Sequence, residues 1–88
     1  LKVEIKDDCG KPGVRESLGK ALLTGGYNVV KIGEVPKKGA TMTEILYVKD
    51  YESEALTLKK KLKGTPKLTP VATSDMDITV LVGCDQAP

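Results

Sequence analysis

"VEIKDDCGKPGVRESL", residues 3–18, changes period in its middle, and that change decides the fold. Val3 and Ile5 alternate with Lys2, Glu4 and Lys6, the two-residue period of a strand with one buried face. From Val14 onward the apolar residues are Val14, Leu18, Ala21 and Leu22, spaced i, i+4, i+7 and i+8. That spacing makes one stripe of a helix, read here from Pro12 to Thr24, with Pro12 in the first turn where its missing N–H costs nothing. Gly25 and Gly26 are the expected stop, because glycine accepts the left-handed backbone of a helix end. Asp7 to Gly13 is therefore the corner between a strand and a helix.

The rest of the chain extends this unit. "YNVVKIG", residues 27–33, reads as a second strand, and "EVPKKGAT", residues 34–41, as a loop punctuated by Pro36 and Gly39. "TEILYVKD", residues 43–50, is a third strand with Ile45 and Tyr47 on one face and Glu44, Leu46 and Val48 on the other. Asp50 is the expected N-cap of a second helix whose inward stripe is Tyr51, Ala55, Leu58 and Leu62, flanked by Leu56. Glu52 and Glu54 suit its positive start; Lys59, Lys60, Lys61 and Lys63 suit its negative end. Gly64 and Pro66 stop it. "KLTPVA", residues 67–72, is confined to a short or edge strand by Pro70, and the apolar run of "DITVLVG", residues 77–83, predicts a strand buried on both faces.

The order is β-α-β-β-α-(β)-β. Two helices with one apolar stripe each require a sheet to bury against. The predicted fold is α/β, a two-layer sandwich with two helices on one face of a mixed four- or five-stranded sheet. The 88 residues make one domain, 1–88.

Composition narrows the chemistry. The chain has no His, Phe or Trp, three Tyr and two Cys. Without imidazole there is no Ser-His or Cys-His nucleophile pair and no His-ligated metal; with two cysteines there is no four-thiolate zinc. Fourteen basic against twelve acidic residues leave +2, far from the basic stripe of a nucleic-acid binder. No apolar run is long enough to span a bilayer and no secretory signal is visible. The chain opens on Leu1 rather than Met, which is read as a piece of something longer, with an anchor expected upstream.

The residues carry a family likeness. Val3 and Ile5 lead into Asp7, Asp8, Cys9, Gly10 and Gly13; then come Leu18, Ala21 and Leu22, Gly26, Tyr27 and Val29, the strand with Thr43, Ile45 or Leu46, and Tyr47, and the close Asp77, Ile78, Val80, Leu81, Val82, Gly83 and Asp85. In this order and spacing the chain resembles the LytR C-terminal domain, an accessory module of bacterial cell-envelope proteins of the LytR-CpsA-Psr group. Asp7 and Asp8 stand where that family has Asn-Gly, and Cys9 where it has Ser or Thr. The resemblance implies a non-catalytic domain with no cofactor, extracytoplasmic in a bacterial envelope. Its implied partner is cell-wall polymer or another envelope protein, with no direct nucleic acid. It implies no catalytic site, since the polymer transfer of such proteins belongs to a separate domain.

Four features carry candidate chemistry. The turn offers Gly10, Lys11, Gly13 and Arg15 to a phosphate, and Asp7, Asp8 and Asp85 border it; these seven residues are the candidate binding set. Glycines and a helix start favour an anion, yet neither G-x-G-x-x-G nor G-K-[ST] is present and Pro12 removes a donor. At ~4–6 Å and an effective dielectric near ~20, each aspartate opposes a phosphate charge by a few kcal/mol before screening, against ~0.3–1 kcal/mol from the helix dipole. The turn is read as a tight corner, with a small phosphate- or nucleotide-binding domain or enzyme as the alternative. Cys9 follows the first strand and Cys84 the last; if those strands are parallel neighbours, both thiols emerge at one end and a disulfide is expected, against two free cysteines. Asp75 and Asp77 are expected to join Asp7, Asp8 and Asp85 at that rim, without a calcium-loop spacing and with no metal site expected. The lysines of the second helix, with Lys37, Lys38 and Lys67, read as a solvated face or as contacts for an anionic polymer.

Overall fold

The computed structural model describes residues 1–35, 39–72 and 74–87, so the loop reading at Pro36, Lys37 and Lys38 lies outside the described residues. The described residues form five strands and two α-helices: β1 (Val3–Asp7), α1 (Val14–Thr24), β2 (Val29–Glu34), β3 (Glu44–Val48), α2 (Glu52–Lys61), β4 (Lys67–Val71) and β5 (Ile78–Val82). They make one mixed sheet of order β2-β1-β5-β3-β4. β1 pairs in parallel with both β2 and β5, β3 pairs in parallel with β4, and β5 joins the halves by antiparallel pairing with β3.

The topology is two β-α-β units pointing in opposite directions, with β5 between them. One unit steps outward from β1 to β2, the other outward from β3 to β4. A right-handed crossover in each places both helices on the same face, because reversing strand direction and step together leaves the face unchanged. The core agrees. One cluster joins Val14, Leu18 and Leu22 of α1 and Ala55 and Leu58 of α2 to Val3, Ile5, Ile45, Tyr47, Ile78, Val80 and Val82 of the sheet. Register explains which strand residues take part: Ile5 lies beside Val80 and Val80 beside Ile45, so their side chains share the helix-facing side.

Among the described residues the opposite face has no helical layer. Thr79 is buried there and Leu81 is half-buried, so the two-sided burial expected of β5 comes from its central position in the sheet. β4 is an edge strand, the place Pro70 requires.

Helix boundaries depart from expectation at both starts. α1 begins at Val14, after Gly13, which sits at φ 82° as the N-cap. Pro12 lies outside the helix, because the left-handed residue that follows it turns the chain before helical bonding begins. Asp50 does not cap α2. A 3-10 turn at Lys49–Tyr51 leads into the helix with no side-chain cap, and the Tyr47 hydroxyl donates to Glu52 in the first turn at 3.2 Å. The stop of α1 is as expected: Gly26 adopts φ 91°, its N–H donates to the Leu23 carbonyl, and the Tyr27 N–H donates to the Leu22 carbonyl.

Candidate functional site

Parallel pairing of β1 and β5 brings their C-terminal ends together. Asp7 lies opposite Val82, and the Asp8 N–H donates to the Val82 carbonyl at 3.0 Å. Two residues later on each chain segment stand Cys9 and Cys84, joined by a disulfide with Cα atoms 4.8 Å apart. The sulfur pair is thus a consequence of strand order: neighbouring parallel strands of equal register deliver both cysteines to one rim.

The corner itself is closed by Asp7. Its Oδ1 accepts hydrogen bonds from the Cys9 and Gly10 N–H groups, each at 3.0 Å, while the residue is buried. These two amides of the turn are thus held by a carboxylate of the chain and are not open to an outside anion. Gly10 at φ 86° and Gly13 at φ 82° supply the two left-handed positions that let the backbone fold round that carboxylate. Asp8 contributes through its backbone: its carbonyl accepts from Gly39 and Ala40 at 2.7 and 2.8 Å, fastening the segment before β3 to the same rim.

The two cations of the turn are placed differently. Lys11 is exposed. Arg15 donates Nε to Glu16, and its Nη1 reaches Glu34 at 2.8 Å and the Gly33 carbonyl at 3.4 Å. The guanidinium ties the start of α1 to the end of β2, with its pKa raised first by Glu16 and then by Glu34, while Glu16 is lowered chiefly by Arg15.

Asp85 is also engaged inside the molecule. Its Oδ2 accepts from the Thr43 N–H at 3.1 Å and its Oδ1 from the Thr43 hydroxyl at 2.6 Å and from the Gln86 side chain at 3.2 Å. Thr43, fully buried, in turn accepts the Gly83 N–H at 3.0 Å. Gly83 is required at this junction: a Cβ there would fall 2.5 Å from the Met42 carbonyl carbon and 2.8 Å from the Thr43 nitrogen. Thr43 is the residue that motif reading missed as a hub, since nothing in its own neighbourhood distinguishes it from any strand threonine.

The expected gathering of aspartates does not occur. Asp7, Asp8 and Asp85 are at the disulfide end, but Asp77 precedes β5 and binds the Lys2 N–H at 2.7 Å at the other end of the sheet, with Asp75 two residues before it. A strand's two ends are separated by its length, so residues flanking β5 on opposite sides cannot share a rim. Among the described residues no group of three or more acidic or thiol ligands is placed to hold a metal ion. No helix of the described residues is long and apolar enough to cross a membrane.

Residues 1–85 match the family model described as LytR cell envelope-related transcriptional attenuator. No curated protein and no solved structure matches the chain. With 85 of its 88 residues covered, the chain belongs to the LytR cell envelope-related transcriptional attenuator family.

Proposed function

We propose that this chain is a single non-catalytic accessory domain, residues 1–88, working at the outer face of a bacterial membrane beside the assembly of envelope polymers. Its partner is wall polymer or another envelope protein, and any effect on transcription is indirect. The observation that carries this reading is the self-contained corner. The amides of Cys9 and Gly10 are occupied by Asp7, Arg15 is engaged by Glu16 and Glu34, and Asp85 is engaged by Thr43. The Cys9 and Gly10 amides and the Arg15 guanidinium that the phosphate-binding alternative would use already have internal partners, so an anion taking those two amides would have to displace a buried carboxylate. The disulfide supports an extracytoplasmic setting, because such bonds persist in oxidising compartments.

Two measurements test the reading. Protease added to intact cells or protoplasts carrying the parent protein is expected to remove this domain; protection until the membrane is lysed would refute the outer-face placement. A thermal-shift screen is expected to show no stabilisation by nucleoside triphosphates, and a saturable rise with nucleotide would favour the alternative.

A further inference from the structure

We propose that the outer edge of β2 is a self-association surface. Two copies of this chain pair their β2 strands antiparallel about a two-fold axis and join their five-stranded sheets into one. The inference goes beyond the accessory-domain reading and does not depend on which side of the membrane the domain occupies.

The two edge strands of the sheet differ in sequence. β4 carries Pro70, which cannot donate a hydrogen bond, and the exposed Lys67, two devices that keep a sheet edge from pairing. β2 has no proline, and Lys31 reaches back across the sheet to Glu4 at 3.6 Å. Apolar side chains collect on this edge. Leu23, Val30 and Ile32 are 54, 46 and 43 % exposed, half of the six large apolar side chains left in solvent among the described residues. α1 passes so close over β2 that a Cβ on Gly19 would fall 2.8 Å from Ile32 Cδ1, and Leu23 follows Gly19 by one helical turn. Strand and helix together present one apolar strip.

The strand's own pattern names the occupant. The Val35 N–H donates to the Asp7 carbonyl. Backbone groups alternate in direction along a strand, so Ile32, three residues earlier, turns its N–H and C=O away from β1. The bulge in the β1–β2 register falls at Val30 and leaves the stretch from Lys31 onward regular. Antiparallel self-pairing then has its axis at Lys31, Ile32 or Gly33. An axis at Lys31 sets two lysines directly opposite one another, and an axis at Gly33 sets Ile32 against a glutamate. An axis at Ile32 lets Ile32 exchange two N–H···O bonds with Ile32 of the second copy and sets Lys31 opposite Gly33. It also brings the lysine-bearing end of each edge to the glutamate-bearing end of the other. The edge is thus complementary to itself in hydrogen bonding, apolar contact and charge. Because that axis is perpendicular to the sheet, the helices of both copies stay on one face and α1 of each lies beside the seam, covering Leu23.

The test is sedimentation equilibrium of the oxidised domain from about 10 μM to about 1 mM, a range suited to a seam near the low end of specific interface areas. NMR on a mixture of differently labelled copies accompanies it. A monomer–dimer equilibrium is expected, with Hα–Hα contacts between Lys31 of one copy and Gly33 of the other and with Ile32 amide exchange slowed severalfold at the highest concentration. Ile32→Pro, which gives β2 the feature β4 already has, is expected to abolish the dimer. Leu23→Ser, at an exposed helix position that leaves the core untouched, is expected to weaken it about tenfold. A monomer at about 1 mM would overturn the proposal and leave the edge to a strand of a different chain. A dimer unchanged by both substitutions, or copy-to-copy contacts outside β2 and α1, would overturn it as well.

Discussion

Replacing Cys9 and Cys84 together by alanine removes the covalent link between the ends of β1 and β5, and its effect follows from the loop it opens. The cysteines are 75 residues apart in a chain of 88, so the bond closes nearly the whole polypeptide. In the loop-entropy treatment a closure of that length restricts the unfolded chain by about 15 cal/mol/K, or about 4.5 kcal/mol at 25 °C. Total stability for this length is about 4–13 kcal/mol, so the link contributes a third or more of it. With an unfolding entropy of about 2.1 cal/mol/K per residue, the melting temperature should fall by about 20–25 °C. Urea unfolding of oxidised wild type and the double alanine variant, read by circular dichroism, measures the difference. It should also show a larger m-value for the variant, whose unfolded state is less compact. A loss under about 1 kcal/mol would refute the reasoning, since it would mean that the bond does little to restrict the unfolded chain.

Gly83→Ala places a methyl against the Met42 backbone, which cannot rotate away, and should cost about 1–3 kcal/mol in the same assay; a neutral result would contradict the close approach. Asp85→Ala leaves the buried Thr43 amide and hydroxyl without their acceptor and should cost about 1–3 kcal/mol, whereas Lys11→Ala, at an exposed turn position, should cost under about 0.5 kcal/mol. Burial first, and then Glu52, raise the Tyr47 pKa above 10, so absorbance titration should show Tyr47 ionising above the range of a free tyrosine. The sign follows from linkage: below pH ~10 the contribution is complete, and above it the unfolded chain ionises first, so stability falls as pH rises toward the folded-state value. Glu52→Gln should bring that titration back toward 10.

Most of the architecture could be read from periodicity, because each element carries its own signal. The switch from two-residue to helical spacing at Asp7–Val14 locates the first unit, and Pro70 alone sends β4 to an edge. The parallel neighbourhood of β1 and β5 could be inferred only through their cysteines and is now seen in register. Long-range polar pairing was not legible. Thr43 and Asp85 are 42 residues apart, and no local pattern announces that one satisfies the other. The helix starts failed for a related reason: Asp50 has the right chemistry for a cap, but Tyr47–Glu52 bonding and a 3-10 turn organise the entry instead. The aspartate rim does not form because Asp77 and Asp85 flank β5 at its two opposite ends.

The account turns on the Asp7–Gly13 corner being satisfied from within. A nitrogen–proton correlation spectrum of the oxidised domain, followed while inorganic phosphate and then ATP are added to millimolar concentration, reads the two decisive amides directly. The Cys9 and Gly10 resonances should stay where they are, held by the Asp7 carboxylate. Saturable movement of those two resonances would show that the carboxylate yields to an anion, and the phosphate-binding alternative would take its place.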